Sequence, residues 1–342
     1  MKRLLIACLL ALVMAAPARA AEVYVYNWTE YIAEETLAAF TEATGITVHY
    51  STYDSNEAMY AKLKMLGAKG YDVVVPSAYF VSKMAREGLL AELDTSKLPN
   101  LANIDPGTLD KPFDPGNAYS VPYLWGGTGI MVDASKYDAD AVTSWADLWK
   151  DEYAGDLLLQ DDMREVFAMA QMILGRDIND TDPEGIKAAY EKLVPLMPHV
   201  RTFNSDNPKM PYLNGEVGIG MVWNGDGYVA GQERSDLRFV WPEEGGIFWM
   251  DNFAIPRNAA NKAEAHAFIN WMLRADSAAA ACEYSGYTTP NLKAMELLPP
   301  EMRDSPVVFP PKDVLAKGQF QSDVGQAVLT YEDYWSRLKA GQ

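Results

Sequence analysis

From Val23 to Gly88 short β-type runs alternate with helical stretches, which restricts this part of the chain to an α/β layer with mainly parallel strands. Val23-Tyr24-Val25-Tyr26 reads as a strand, Ile32 to Ala43 as a helix stopped by Gly45, and Ile46 to Tyr50 as a second strand. Glu57 to Leu66 reads as a helix, the apolar run Asp72 to Pro76 as a buried strand, and Val81 to Gly88 as a third helix. Pro99 to Tyr123 is rich in Pro, Gly, Asn and Asp and reads as loop. Trp125 to Val132 is an apolar strand entered through glycines, and a first crossing between two lobes belongs here. Leu157-Leu158-Leu159 and Val217 to Trp223 read as further strands, with helices over Arg164 to Leu174, Pro183 to Leu193 and Val229 to Gln232. Phe248 to Pro256 reads as the strand that returns to the first lobe. Helices over Lys262 to Arg274 and Ser277 to Glu283 complete that lobe, and a helical segment from Asp313 to Lys339 closes the other.

The chain has 342 residues, more than one hydrophobic core usually organises, which also favours two domains. It opens Met1-Lys2-Arg3, continues with an apolar run from Leu4, and reaches Ala18-Arg19-Ala20-Ala21, the pattern of a cleaved export signal over residues 1–20. Fifteen residues from Leu4 to Ala18 are too few to span a bilayer comfortably. Leu5-Ile6-Ala7-Cys8 also matches a lipoprotein pattern, but the apolar run continues past Cys8, which favours a discarded signal. Loss of Lys2, Arg3 and Arg19 takes the formal charge from −18 to −21. Such a surface repels nucleic acid and anionic lipid and attracts cations, although for an arbitrary acidic secreted protein solubility alone is the better explanation. With Cys8 removed, Cys282 stands alone and no intramolecular disulfide can form.

Enzyme signatures are missing: the sequence contains no Gly-x-Ser-x-Gly elbow, no phosphate-binding Gly-Lys-Ser/Thr loop and no His-Glu-x-x-His. His49, His199 and His266 lie far apart in sequence without metal-ligand spacing, and no cofactor motif appears. Asp180, Asp182, Glu184, Gly185 and Glu191 imitate a calcium loop, but Asp182 as N-cap with Pro183 opening a helix explains them better.

Three pairings of aromatic and acidic residues carry more chemistry. Trp249 and Asp251 are two apart on a strand and project from one face. An indole wall beside an anion suits an alkylammonium, whose methylenes want apolar contact and whose nitrogen wants a charge and a π face. Trp28-Thr29-Glu30-Tyr31 repeats the theme at the end of the first strand, where open α/β sheets bind ligands. Asp162 and Glu165 are three apart, on one face of a first helical turn. Each has a plainer reading: a core Trp249 with Asp251 closing its strand, Thr29 as a helix cap, and Asp162 with Glu165 as a capping pair.

Five segments carry a family resemblance: Asn27-Trp28-Thr29-Glu30-Tyr31-Ile32, Val74-Val75-Pro76-Ser77-Ala78-Tyr79, Asp161-Asp162-Met163-Arg164-Glu165-Val166-Phe167, Gly246-Ile247-Phe248-Trp249-Met250-Asp251 and Gly286-Tyr287-Thr288-Thr289-Pro290-Asn291. In order and spacing the chain resembles the periplasmic spermidine/putrescine-binding proteins of polyamine ABC importers, part of the bacterial extracellular solute-binding family. The resemblance implies a two-lobed periplasmic-binding-protein fold, each lobe a mainly parallel sheet flanked by helices, with the ligand in the cleft between. It implies lobes of residues 21–129 with 251–296 and 130–250 with 297–342, crossing near Gly129, Trp249 and Leu297. Trp28, Tyr31, Tyr79, Trp223, Trp249 and Tyr287 would box the methylenes of a polyamine, and Glu30, Asp162, Glu165 and Asp251 would pair with its ammonium groups. Thr29, Ser77 and Gln321 would add polar contacts.

On this resemblance the expected partners are a polyamine and a membrane permease of an ABC transporter, with no nucleic acid, for a monomer in the periplasm. Four acids suit a triamine, so spermidine is expected to bind better than putrescine. A polyamine sensor that reports to a membrane receptor could carry the same cleft, and a putrescine-preferring protein is the other alternative. A secreted enzyme is disfavoured because no nucleophile and base are paired in the sequence.

Overall fold

The computed structural model describes residues 21–341, so the expected export signal and Cys8 lie outside the described residues. Strand β1 (Glu22–Trp28) leads to helix α1 (Glu34–Thr44), which ends at Gly45 in the left-handed conformation, φ 72°. A glycine adopts that cap without a Cβ penalty, as the sequence suggests. β2 (Thr47–Tyr53), α2 (Asn56–Met65), β3 (Val73–Val74) and α3 (Ala78–Arg86) complete the expected alternation. Short turns of 3-10 helix then lead to the long strand β4 (Ser120–Asp133). β5 (Leu157–Leu159), α4 (Met163–Ile173), α5 (Pro183–Leu193), β6 (Val200–Phe203), α6 (Lys209–Leu213), β7 (Ile219–Trp223), α7 (Asn224–Glu233) and β8 (Leu237–Val240) follow. β9 (Ile247–Ala254) turns back to α8 (Lys262–Met272) and α9 (Ala275–Ser285). The short helices α10 (Leu292–Met295), α11 (Pro300–Arg303) and α12 (Lys312–Lys317) precede β10 (Gln319–Phe320) and α13 (Val328–Lys339).

The strands are connected in the order β2-β1-β3-β9-β4-β7-β5-β6, with β10 on β9 and β8 on β4. At one flank β1 lies parallel to β2 and β3, and at the other β5 lies parallel to β6 and β7. The expected parallel sheets are these flanks. The junction differs: β4 and β9 are antiparallel to each other, β9 to β3, and β4 to β7 and β8.

β4 and β9 run from one hydrophobic core into another. Val121 and Leu124 of β4, with Phe253 of β9, pack with Val25, Phe40, Val73 and Phe268. Ile130 and Val132 of β4, with Ile247 of β9, pack with Trp145, Leu157, Phe167, Ile219 and Tyr331. Each buried side chain of this size contributes about 1.5–3 kcal/mol, and splitting them into two clusters leaves a seam that β4 and β9 bridge. Leu298, Met302 and Val308 pack with α9 residues Ala278 and Cys282, and the chain then enters the second core at Val324.

Three local expectations are corrected. The segment from Asp313 to Lys339 is not one helix: it breaks at Gly318, where a Cβ would lie 2.2 Å from the Phe248 ring, and β10 pairs with β9 instead. Thr29 does not cap a helix, because Glu30 turns to φ 57° and α1 starts only at Glu34. The third helix starts at Ala78 rather than Val81, which places Ser77 at its N-cap with the side chain free for other work. Asp182 does cap α5, accepting from Glu184 N–H with Pro183 in the first turn, so the calcium-like segment is helix.

Candidate functional site

One cleft lies at the seam, with an empty volume of about 1030 Å³ that includes the solvent at its mouth. All thirteen residues singled out from the sequence line it, together with Tyr53, Asn56, Lys209 and Asp226.

The end of β1 supplies one wall. Trp28 Nε1 donates to Val75 O at 2.9 Å, which leaves the indole face against Tyr53, with centroids 4.7 Å apart. Tyr53 is itself pinned by donating to Val75 O at 2.6 Å. Thr29 N–H donates to Tyr53 O, and the φ of 57° at Glu30 swings that side chain toward the opposite half. This backbone conformation is uncommon for a residue with a Cβ. Tyr31 is buried, and its hydroxyl donates to Asp251 Oδ2 at 2.7 Å.

Asp251 sits at the centre. It is 1 % exposed, and its other oxygen accepts from Ser77 Oγ at 2.6 Å. Asn56, buried and not anticipated from the sequence, donates to Ser77 Oγ at 2.9 Å and to Tyr79 Oη at 3.1 Å. It thereby holds the cap of α3 and the Tyr79 ring in register. Burial pushes the Asp251 carboxyl up to about 7, against the Ser77 and Tyr31 hydroxyls that favour its anion. A positive charge beside it would repay that desolvation.

Trp249 lies on the same strand and reaches the same cleft, as the two-residue spacing requires. Its ring meets Tyr287 edge-on at 5.0 Å, and its Nε1 is buried without a hydrogen-bond partner among the described residues. Two glycines make room for these rings. A Cβ at Gly126 would lie 2.7 Å from the Trp249 indole, and one at Gly225 would lie 2.5 Å from the Tyr287 ring. The walls therefore depend on close backbone approach on both sides.

The opposite half supplies the next carboxylates from the start of α4. Asp162 is its N-cap, accepting from the N–H groups of Arg164 at 2.8 Å and Glu165 at 3.1 Å. The capping role and the cleft-lining position coexist in one side chain. Glu165 is buried; its Oε1 accepts from Gln321 Nε2 at 3.0 Å, while Oε2 has no hydrogen-bond partner among the described residues. Burial, with Asp162's charge adding to it, holds the Glu165 carboxyl well above the usual carboxylate range. Gln321 is placed by its own N–H donating to Phe248 O at 2.8 Å, a consequence of the break that forms β10. Arg164 does not line the cleft: its guanidinium donates to Ser322 O and Asn179 Oδ1 and lies 5.5 Å from the centre of the Tyr79 ring. Trp223 closes this side at the end of β7.

At the far end Tyr287 donates to Asp226 Oδ2 at 2.7 Å, and Lys209 contacts both Glu30 and Asp226, the latter at 3.3 Å. Neither Lys209 nor Asp226 was anticipated. Trp223-Asn224-Gly225-Asp226 is another aromatic and acidic pairing, so Asp226 had a local signal, whereas a single lysine in an acidic chain has none. The histidines are elsewhere: His49 stacks on Tyr24, His199 is near Asp151, and His266 accepts from Asp94 N–H.

Carboxylates seated among indole and phenol rings, with Glu165 Oε2 lacking a hydrogen-bond partner among the described residues, make an arrangement suited to an extended organic cation. Comparison with known proteins agrees with that chemistry. The chain is 55% identical over 319 residues to the spermidine/putrescine-binding periplasmic protein of Salmonella typhimurium, covering 93% of this chain and 92% of that one. A putative spermidine/putrescine ABC transporter protein from Listeria monocytogenes superposes with a TM-score of 0.88 at 36% identity, over 94% of this chain and 99% of that one. A spermidine/putrescine ABC transporter substrate-binding protein from Streptococcus pneumoniae superposes with a TM-score of 0.80 at 38% identity, over 94% and 99% of the two chains. The bacterial extracellular solute-binding protein model matches residues 35–310, and the chain belongs to that family.

Proposed function

We propose that this chain is the polyamine-binding component of an ABC importer, capturing spermidine, and putrescine more weakly, in the cleft between its halves. The observation that carries this reading is the run of carboxylates along the aromatic walls: Asp162 with Glu165 in one half, and Asp251 in the other. A flexible polycation lays its methylenes on Trp28, Trp249 and Tyr287 while its nitrogens meet the carboxylates. Asp251 and Glu165 resist ionising alone, so the cation supplies the charge that the buried site lacks. Spermidine is preferred because a diamine fills fewer anionic positions and leaves a buried carboxylate unpaired.

The lobes are residues 21–129 with 251–296 and 130–250 with 297–342, hinged where β4 and β9 cross the seam. Closure brings Asp162 and Glu165 toward Asp251 around the ligand and desolvates all three, so it is favourable only with a cation between them. After removal of residues 1–20 the protein works as a periplasmic monomer that hands its ligand to a membrane permease and performs no chemistry on it. A native mass spectrum of freshly isolated protein tests this. The expected result is a population carrying the mass of spermidine, lost on denaturation; absence of any polyamine together with no binding on titration overturns the reading.

A further inference from the structure

The cleft contains an ammonium group of its own. Lys209 opens α6 beside the mouth; its side chain is 13% exposed, and its Nζ lies against Glu30 of one half and Asp226 of the other. Asn207 Nδ2 adds a contact to Glu30 at 3.3 Å. Burial works to lower the lysine's pKa, and the charges of Asp226 and Glu30 outweigh it, so the group stays cationic. Among the described residues that line the cleft, Lys209 is the only cation.

A chain of contacts orders the acids along the cleft. Asp251 accepts from Tyr31, the Tyr31 ring lies 5.4 Å from that of Tyr287, and Tyr287 donates to Asp226. On its other side Asp251 accepts from Ser77, and Asn56 joins Ser77 to Tyr79, on which the charge of Asp162 acts, so the acids fall into three stations: Asp162 with Glu165, then Asp251, then Asp226 with Glu30. The third already holds a lysine, whose single charge offsets one of its two carboxylates and whose backbone is fixed in a helix.

We propose that Lys209 is a tethered competitor for the third ammonium of a ligand, and so sets how strongly the cleft distinguishes a triamine from a diamine. This rests on the polyamine reading above. A diamine occupies the first two stations and leaves Lys209 in place. A triamine reaches the third, where it must displace Lys209 or lie beside it against a like charge. The lysine narrows the triamine's advantage and leaves diamine binding nearly untouched.

The test compares spermidine and putrescine by calorimetric titration of the parent, Lys209→Met and Lys209→Gln proteins at neutral pH and low salt. Methionine keeps the apolar stem, and glutamine keeps hydrogen bonds to Glu30 and Asp226 without the charge, so one variant remains informative if the other fails to fold. The account expects spermidine to bind about tenfold tighter in both variants and putrescine to change less than about threefold, as for removal of a competing like charge. Adding Asp226→Asn should reverse most of the gain. A spermidine-to-putrescine ratio within about twofold of the parent's, or a smaller one, overturns the role of Lys209. If the parent binds neither amine, the polyamine reading itself fails, which is a separate outcome.

Discussion

Asp251→Asn isolates the central charge of the cleft with little disturbance of shape. The carboxylate now accepts from Ser77 and Tyr31. An asparagine keeps one acceptor for Ser77, and its amide donates to the Tyr31 oxygen once that hydroxyl turns. Loss of a charge-assisted contact in a buried site costs about 1.5–3 kcal/mol, or about 10- to 150-fold in spermidine affinity. The unliganded fold should not suffer, because the substitution also removes a buried carboxyl whose pKa is pushed to about 7. For this acid the folded pKa lies above the unfolded one, so the folded state keeps a proton that the unfolded state has released. Stability from this group is therefore full below about pH 4 and is lost as pH rises toward about 7. Between pH 7.5 and 5.5 Asp251 should contribute a gain of about 2 kcal/mol to the parent, so the Asn variant, which keeps the gain from Glu165, should gain about that much less. Titration calorimetry measures the affinity and thermal unfolding at the two pH values measures the linkage. Spermidine affinity within about twofold of the parent's, with a normal melt, would refute the placement of a ligand nitrogen at Asp251.

Three further outcomes follow from the same geometry. Spermidine affinity in the parent should fall as pH drops below about 8, because Glu165, with its carboxyl raised to about 8, and then Asp251, raised to about 7, carry protons that the cation must displace; a flat profile from pH 8 to 5.5 contradicts this. Glu165→Gln should weaken spermidine by about tenfold or more with the Gln321 contact kept, and an unchanged titration removes Glu165 from the site. Gly126→Ala should leave a folded protein by circular dichroism but shift the Trp249 ring, since the new Cβ would lie 2.7 Å from it; the expected loss is at least about fivefold in affinity with altered tryptophan fluorescence, and parental binding refutes the role of the glycine.

The flanking strand–helix order is legible because period and turn residues are local signals: β1, the Gly45 stop and the Asp182 cap all appear where spacing puts them. The pairing of Trp249 with Asp251 follows from strand alternation alone. Asp162 shows why plain and functional readings need not compete, since a cap can also line a cleft. The C-terminal segment misleads because a helical composition from Asp313 onward is overridden at Gly318 by close approach to Phe248 and pairing with β9. That long-range event also seats Gln321. Glu30 and Lys209 lie 179 positions apart, and no local pattern can report their ion pair. Its presence turns an acid expected to serve the ligand into one already engaged.

The central claim is that aromatic walls and anions at the seam hold one extended polycation. Calorimetric titration of the ligand-free protein with spermidine at neutral pH tests it most directly. The account predicts saturable one-to-one binding at about micromolar affinity or tighter, abolished or strongly weakened when Asp251 and Glu165 are both neutralised. Heats of dilution alone, or binding that survives the double substitution unchanged, would contradict it.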